Sequence, residues 1–278
     1  MASSQSKDLP FSSYFSAFAA NYVQQTGRST RRVFGESFEE IQAIKPINKD
    51  SVVHDNAAGP GIATSFILEK LPAEDVPKIL VTDNVPPMVQ GAKDSFTSWS
   101  QVESKILDSL NLEGISDNHF THSILNFSVF TLAEPVKGLK EMYRSLRPDG
   151  LAVISCWKTF GAGQLIHAAQ AIVRPDLSPL KMPHPEFFEQ GVLEKTTAEA
   201  GFDSAKFKLL EKSIVVSGPE LDDGLKKFML GPLMAPARAG FTEEDENNWP
   251  SAVDEVIKKA VETHGGVKFD GWVLLAQK

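Results

Sequence analysis

Cysteine is almost absent from this chain. The single thiol, Cys156, has no partner for an internal disulfide, which points to a reducing compartment. Long hydrophobic runs are missing too: nothing approaches the ~20 apolar residues of a membrane span. Residues 1–10 are Ser-rich and polar, without the apolar core of a signal peptide. A soluble, cytoplasmic protein is the expectation. Positive charge is also scarce, with 28 Lys and Arg against 36 Asp and Glu and a net charge of −8. No basic face is therefore expected for a phosphate backbone, and nucleic acid loses support as a partner. No HExxH pair or thiolate cluster occurs, so no metal site is expected.

What is present is core-forming material, 42% hydrophobic over 278 residues, enough for one large core or a core with a cap. The stretch around which the chain is organised runs Ser51-Val-Val-His-Asp-Asn-Ala-Ala-Gly-Pro-Gly-Ile-Ala-Thr64. An apolar strand ends at Asp55, passes through small residues and leaves as a helix, which presents backbone N–H groups and a helix N-terminus to a ligand. Ala57, Ala58, Gly59 and Gly61 allow close approach of a ligand to the main chain. The two glycines also tolerate positive φ. Thr64 occupies the place of the third small residue of a dinucleotide fingerprint, so a nicotinamide oxidoreductase fits poorly. No Lys-Ser or Lys-Thr pair follows the glycines, which excludes a P-loop.

Downstream the sequence alternates strand and helix. Residues 62–71 read as a helix and 78–83 as a buried strand ending in Asp83. That acid lies 22 positions beyond Gly61, where nucleotide-binding sheets place a ribose-gripping carboxylate. Residues 102–108 read as a third strand, and 120–130 as a buried, predominantly apolar fourth that runs into a loop of Asn126, Phe127 and Ser128. Residues 134–146 are helical in spacing and stop at Arg147-Pro148-Asp149-Gly150, ahead of a fifth strand over 151–157. Residues 161–188, with Pro175, Pro179, Pro183 and Pro185, break the rhythm as a loop-rich insertion. A helix is expected over 187–200 and strands over 206–216 and 267–277. Two further helices are expected over 219–233 and 243–263. Before the loop, Phe11, Tyr14, Phe15, Phe18 and Tyr22 recur at helical spacing, and a second helix is expected over 38–44.

The acid and small residues Asp55-Asn56-Ala57-Ala58-Gly59-Pro60-Gly61 resemble the Asp-x-Gly-x-Gly-x-Gly motif of class I S-adenosylmethionine-dependent methyltransferases, with Ala57 for the first Gly. Asp83-Asn84-Val85-Pro86-Pro87-Met88 resembles the acid-to-Met pattern after that family's second strand. Asp108-Ser109-Leu110 with Asp117-Asn118-His119-Phe120-Thr121-His122 is similar to motifs of the ubiquinone-biosynthesis-type, UbiE-like branch and its fungal small-molecule, secondary-metabolite relatives. Thr121 departs from the Asp usual there. Leu146-Arg147-Pro148-Asp149-Gly150 resembles the turn before strand five.

The resemblance implies an α/β fold: a Rossmann-like, seven-stranded, mostly parallel sheet with helices on both faces, an N-terminal helical lid and an inserted helical cap. On that pattern, residues 1–278 form one methyltransferase domain. The lid covers 1–48, the cofactor core 49–158, and the substrate cap 159–200 and 218–264. S-adenosylmethionine is the implied cofactor. Tyr22, Asp55, Ala57, Gly59, Gly61, Asp83, Asn84 and Met88 would hold it, with Asp108 on the adenine amino group, Ser109 or Leu110 along the adenine edge, and Asn126 and Phe127 beside the methyl.

Methyl transfer from a sulfonium is an in-line displacement in which positioning supplies most of the effect, so no catalytic triad is needed. A base helps when the acceptor must lose a proton. Of the six histidines, His54 and His122 fall inside strands as hydrogen-bonded core residues, and His119 precedes the fourth strand. His167 and His184 lie in the cap and are the weak candidates for a base. Trp157 and Phe160, with His167, are candidates to contact the substrate, a small apolar or aromatic metabolite methylated at O, N, S or C. The alternative is a protein that binds S-adenosylmethionine without methylating, a pericyclase or regulatory partner.

Overall fold

The structure, a computed structural model, describes Tyr22 and residues 28–278. The helix expected over residues 11–22 lies outside the described residues, Tyr22 apart. Two helices lead in, α1 (Arg28–Glu36) and α2 (Phe38–Ile44). They bury Val33, Phe34, Phe38 and Ile41. The sheet then builds from β1 (Val52–Asn56), β2 (Lys78–Asp83), β3 (Val102–Ile106), β4 (Phe120–Leu125), β5 (Leu146–Thr159), β6 (Phe207–Val216) and β7 (Val267–Gln277). Its order is β3-β2-β1-β4-β5-β7-β6. Strands β1 to β5 run parallel, and β7 is antiparallel to both of its neighbours. The expected seven-stranded, mostly parallel α/β sheet is the observed one.

Parallel strands need crossovers, and helices supply them. These are α3 (Ile62–Lys70) after β1, α4 (Pro86–Ser95) after β2 and α5 (Pro135–Ser145) after β4. Pro sits in the first turn of α4 and α5, where a missing N–H is harmless. The strand order reverses between β1 and β4, which opens a crevice at their carboxyl ends. Cys156, near the carboxyl end of β5, is fully buried, and burial raises its thiol pKa.

Four expectations are corrected. The fourth strand stops at Leu125, because Phe127 takes φ 55° and turns the chain out of the sheet. The Pro-Asp-Gly turn lies inside β5 as a bulge. Pro148 offers no N–H and Asp149 is left-handed, so the register jumps between the Phe120 and His122 pairings. The insertion after strand five opens with a helix, α6 (Gly161–Val173), since its prolines all follow Val173. The single helix expected over 219–233 is instead a π turn (Glu220–Leu225), then α8 (Lys226–Leu230), then a 3-10 turn (Pro232–Arg238) after Gly231-Pro232.

Between α6 and α8 lies α7 (Val192–Glu199), preceded by a left-handed Gly191. The long α9 (Glu243–His264) starts with a Thr242–Asp245 capping box, ends at a left-handed Gly265 and packs along α6. Among the described residues no helix is long and apolar enough to cross a membrane.

Candidate functional site

The crevice at the strand ends holds a cavity of about 290 Å³. Its floor begins with Asp55, buried at the end of β1. Asp55 Oδ2 accepts from the Thr64 backbone N–H (3.0 Å) and the Thr64 hydroxyl (2.7 Å), both in the first turn of α3. The same carboxylate thus ties strand to helix. Its Oδ1 is buried without a partner. Burial pushes the Asp55 pKa up to about 7, against the two Thr64 hydrogen bonds that lower it.

The loop above is fixed from both sides. Ala58 N–H donates to Thr82 O (2.9 Å) and Gly59 N–H to Asp83 Oδ2 (2.8 Å). Ser128 Oγ donates to Ala57 O (2.9 Å), joining the loop after β4 to the loop after β1. Gly61 is the N-cap of α3 with φ 85°, and a Cβ there would stand 2.5 Å from the Phe96 ring. Ala57 has φ 46°, a left-handed conformation that costs an alanine about 1 kcal/mol.

The second acid, Asp83, ends β2. Besides Gly59 it accepts from Val85 N–H (2.9 Å), and burial raises its pKa. A carboxylate that accepts two backbone donors keeps lone pairs for ligand hydroxyls. Asp108, after β3, accepts from Leu110 N–H (2.9 Å), and Ser109 Oγ donates to Asn56 Oδ1 (2.8 Å). After β4, the Ser155 hydroxyl donates to Asn126 Oδ1 (3.1 Å) and accepts from Phe127 N–H (2.9 Å). That pair holds Phe127 in its left-handed turn. Its ring lies 3.9 Å from the Trp157 ring between centroids, and Trp157 continues to Phe160 and Phe269. Gly271 on β7 makes room: a Cβ there would be 3.0 Å from the Phe127 ring.

Tyr22, Asp55, Ala57, Gly59, Asp83, Asn84, Met88, Asp108, Ser109, Asn126 and Phe127 all line the cavity. Gly61 does not; it sits beneath, capping the helix. Trp157 and Phe160 stand behind Phe127 rather than on the wall. His167 and His184 are not brought to the cavity. His167 Nε2 pairs with Leu180 O (2.8 Å), and His184 Nδ1 with Glu186 (2.8 Å). His54 and His122 are buried in the sheet, with burial lowering their pKa values to about 3 and about 4.

Sequence reasoning missed Thr64, whose signal was a hydroxyl in the first helical turn beneath a strand-end acid. It also missed Thr30 and Ser128 on the wall, and Asn56, Ser155 and Gly271 behind it. Among the described residues, no Lys, Arg or His lines the cavity. A wall with three carboxylates and no cation suits a positively charged nucleoside and disfavours a pyrophosphate.

Residues 55–154 match the family model described as a methyltransferase domain. The chain is 25% identical over 190 residues to methyltransferase ucsB from Acremonium sp, a match covering 64% of this chain and 66% of that protein. It is 26% identical over 196 residues to the ubiquinone/menaquinone biosynthesis C-methyltransferase UbiE of Hydrogenovibrio crunogenus, covering 63% and 74% respectively. The chain thus spans just under two thirds of the length of the fungal relative. In fold it is similar to the crystal structure of a candidate methyltransferase from Bacillus halodurans C-125, with a TM-score of 0.54 and 14% identity over 88% of this chain and 99% of that one.

Proposed function

Because the chain carries an S-adenosylmethionine-dependent methyltransferase domain, we propose that it methylates a small, apolar or aromatic metabolite. The observation that carries this reading is the acid-lined cavity at the β1/β4 switch point, with no cation among its described lining residues and with Phe127 on its wall, backed by Trp157. The bound cofactor would supply a methyl already activated by its sulfonium.

The chain's own groups bind and orient. Asp83 suits the ribose hydroxyls and Asp108 and Ser109 the base edge. The Ala57–Gly59 backbone, with Asp55 beneath, suits the amino-acid end. The unpartnered Asp55 Oδ1 is a buried polar atom of the kind a polar ligand satisfies. Asn126 and Phe127 would flank the methyl. Helix α6 begins one residue after Phe160, which supports residues 159–200 and 218–264 as the acceptor's cap. With no histidine among the described residues of the cavity wall, catalysis would rest on alignment and exclusion of water. The lone buried Cys156 suits a cytoplasmic protein.

Titration calorimetry with S-adenosylmethionine and S-adenosylhomocysteine tests the cofactor, and labelled methyl transfer into a small-molecule extract tests the reaction. Micromolar binding and a labelled, organic-soluble product are expected. Absence of binding at millimolar ligand sinks the reading. Binding without label in any extract favours a non-methylating use of the site.

A further inference from the structure

A second cleft, of about 570 Å³, runs between α1, α3 and the segment that follows α4. Among the described residues, Ile62 alone lines both this cleft and the first cavity, so the glycine loop divides the two. The apolar part of its lining is Pro60, Ile62, Leu68, Phe96 and Trp99. Two of these five are aromatic, which offers a flat surface to a flat ligand.

Three arginines edge the same cleft. Arg28, Arg31 and Arg32 share one face of α1, because residues three and four apart on a helix are neighbours. The chain as a whole carries a net charge of −8, and α1 has no acid in its first turn, so this group of cations runs against both the overall charge and the helix dipole. Two carboxylates answer the three. Glu69 accepts from Arg31 Nη2, while Glu220 stands 3.3 Å from Arg32 Nη1 and 3.6 Å from Arg28 Nη1. Arg32 Nη1 also donates to Val215 O (2.9 Å).

The described lining therefore holds one positive charge in excess, three cations against two acids. It holds a spare donor as well. Arg31 Nη1 is buried without a partner, and the guanidinium carbon lies 5.1 Å from the Phe66 ring centroid. An arginine serving only to solvate a helix face leaves its fork in water, whereas the Arg31 side chain is 26% exposed.

We propose that this cleft binds a small aromatic carboxylate, its acid group held by Arg28 and Arg31 and its flat body set against Trp99. A guanidinium fork takes a carboxylate through two parallel hydrogen bonds, and a turn of the long Arg31 side chain brings its spare Nη1 to the ligand. One excess charge matches one carboxylate. A phosphate monoester would carry a second negative charge toward Glu69 and Glu220, with no cation left to answer it. The volume lies within the range of about 300–1,000 Å³ usual for small-ligand pockets. The inference is independent of what fills the first cavity.

The test is calorimetric titration of the full chain with naphthalene-2-carboxylate, its neutral amide and 2-naphthyl phosphate, for the parent, Arg31→Gln and Trp99→Ala. The parent is expected to bind the acid about tenfold more tightly than the amide, the worth of one charge-assisted hydrogen bond. Arg31→Gln should remove most of that preference and leave the amide's affinity and that of S-adenosylhomocysteine unchanged. Trp99→Ala should weaken acid and amide alike, since the ring system is common to both. Saturating S-adenosylhomocysteine should leave the acid's affinity as it was.

A parent that fails to bind the acid at millimolar concentration overturns the inference. So do equal affinities for acid and amide, displacement of the acid by S-adenosylhomocysteine, or an unchanged preference in folded Arg31→Gln. Tighter binding of the phosphate than of the acid would refute the single-charge match. Should Arg31→Gln not fold, Arg28→Gln, at a side chain 53% exposed, decides by the same comparison.

Discussion

Asp55 joins two jobs that pull its protonation in opposite directions. Buried at about pKa 7, against 3.8 in an open chain, it keeps a proton that the unfolded chain releases between about pH 4 and pH 7. Its contribution to stability is therefore fullest below about pH 4, is lost as the pH rises through about 7, and stays low above that. Asp55→Asn removes this dependence while still accepting from Thr64. The variant is expected to melt with the parent near pH 4 and several degrees above it near pH 8, as read by calorimetric melts.

The comparison must be made between variant and parent. His54 and His122 work the other way, because the unfolded chain takes up protons below about pH 6.5 that these buried rings refuse. Their contribution is present above that pH and lost as it falls. An Asp55→Asn advantage equal at both pH values would show that the carboxyl is ionised throughout. The acid itself was legible, because an Asp between an apolar run and small residues marks a strand end. Its partner Thr64 was not, since the same position read as a misfit to a dinucleotide fingerprint. Only the fold brings the first turn of α3 back beneath β1.

The loop after β4 and strand β7 meet across Gly271. Phe127 is held at positive φ by Ser155, and its ring occupies the space that a Gly271 side chain would take; Val33 of α1 stands 3.1 Å from the same point. Gly271→Ala is expected to destabilise the protein by about 1–3 kcal/mol, the cost of overpacking a filled core. It should also weaken cofactor binding, since the ring moves toward the cavity. Pairing it with Phe127→Leu should recover part of the loss in denaturant melts. A Gly271→Ala protein as stable as the parent would mean the ring is free to shift.

Only part of this geometry was open to pattern reading. Residues 120–130 are apolar enough to read as strand running into a loop at Asn126, Phe127 and Ser128, but the serine on β5 that holds Phe127 there gave no signal. The elements with a plain period were well placed. Strand β2 matches its expected span, and α3, α5 and α9 differ from theirs by a residue or so at an end. The insertion drew attention to its prolines, which begin only after Val173, and so hid the helix α6 before them.

At the scale of the whole molecule, the cavity is a junction of four strand ends, so its occupant should report on global stability. A ligand at about 100 times its Kd adds about 2.7 kcal/mol, worth several degrees in a chain of this size. S-adenosylhomocysteine is expected to raise the parent's Tm by that amount. Asp83→Ala should lower the ligand-free Tm by stranding the Gly59 and Val85 N–H groups, and should abolish the ligand shift. A full shift in Asp83→Ala would remove Asp83 from the binding site.

The overall topology was legible because strand and helix alternate with acids at successive strand ends. That spacing alone puts Asp55, Asp83 and Asp108 at one edge of a parallel sheet. The segments over 161–188 and 219–238 were not, because they carry neither a repeated period nor an acid at a fixed place.

The burial of Cys156 in β5 has a practical consequence. Its sulfur is sealed against Phe187 O and its thiol is held protonated, so reagents that need an exposed thiolate find no target in the folded protein. A second cysteine placed on the outer face of α6, for instance Ile172→Cys at a position 47% exposed, would be the one site taking a fluorophore or spin label. Movement of α6 against the sheet can then be followed as ligand is added, without first removing the native thiol.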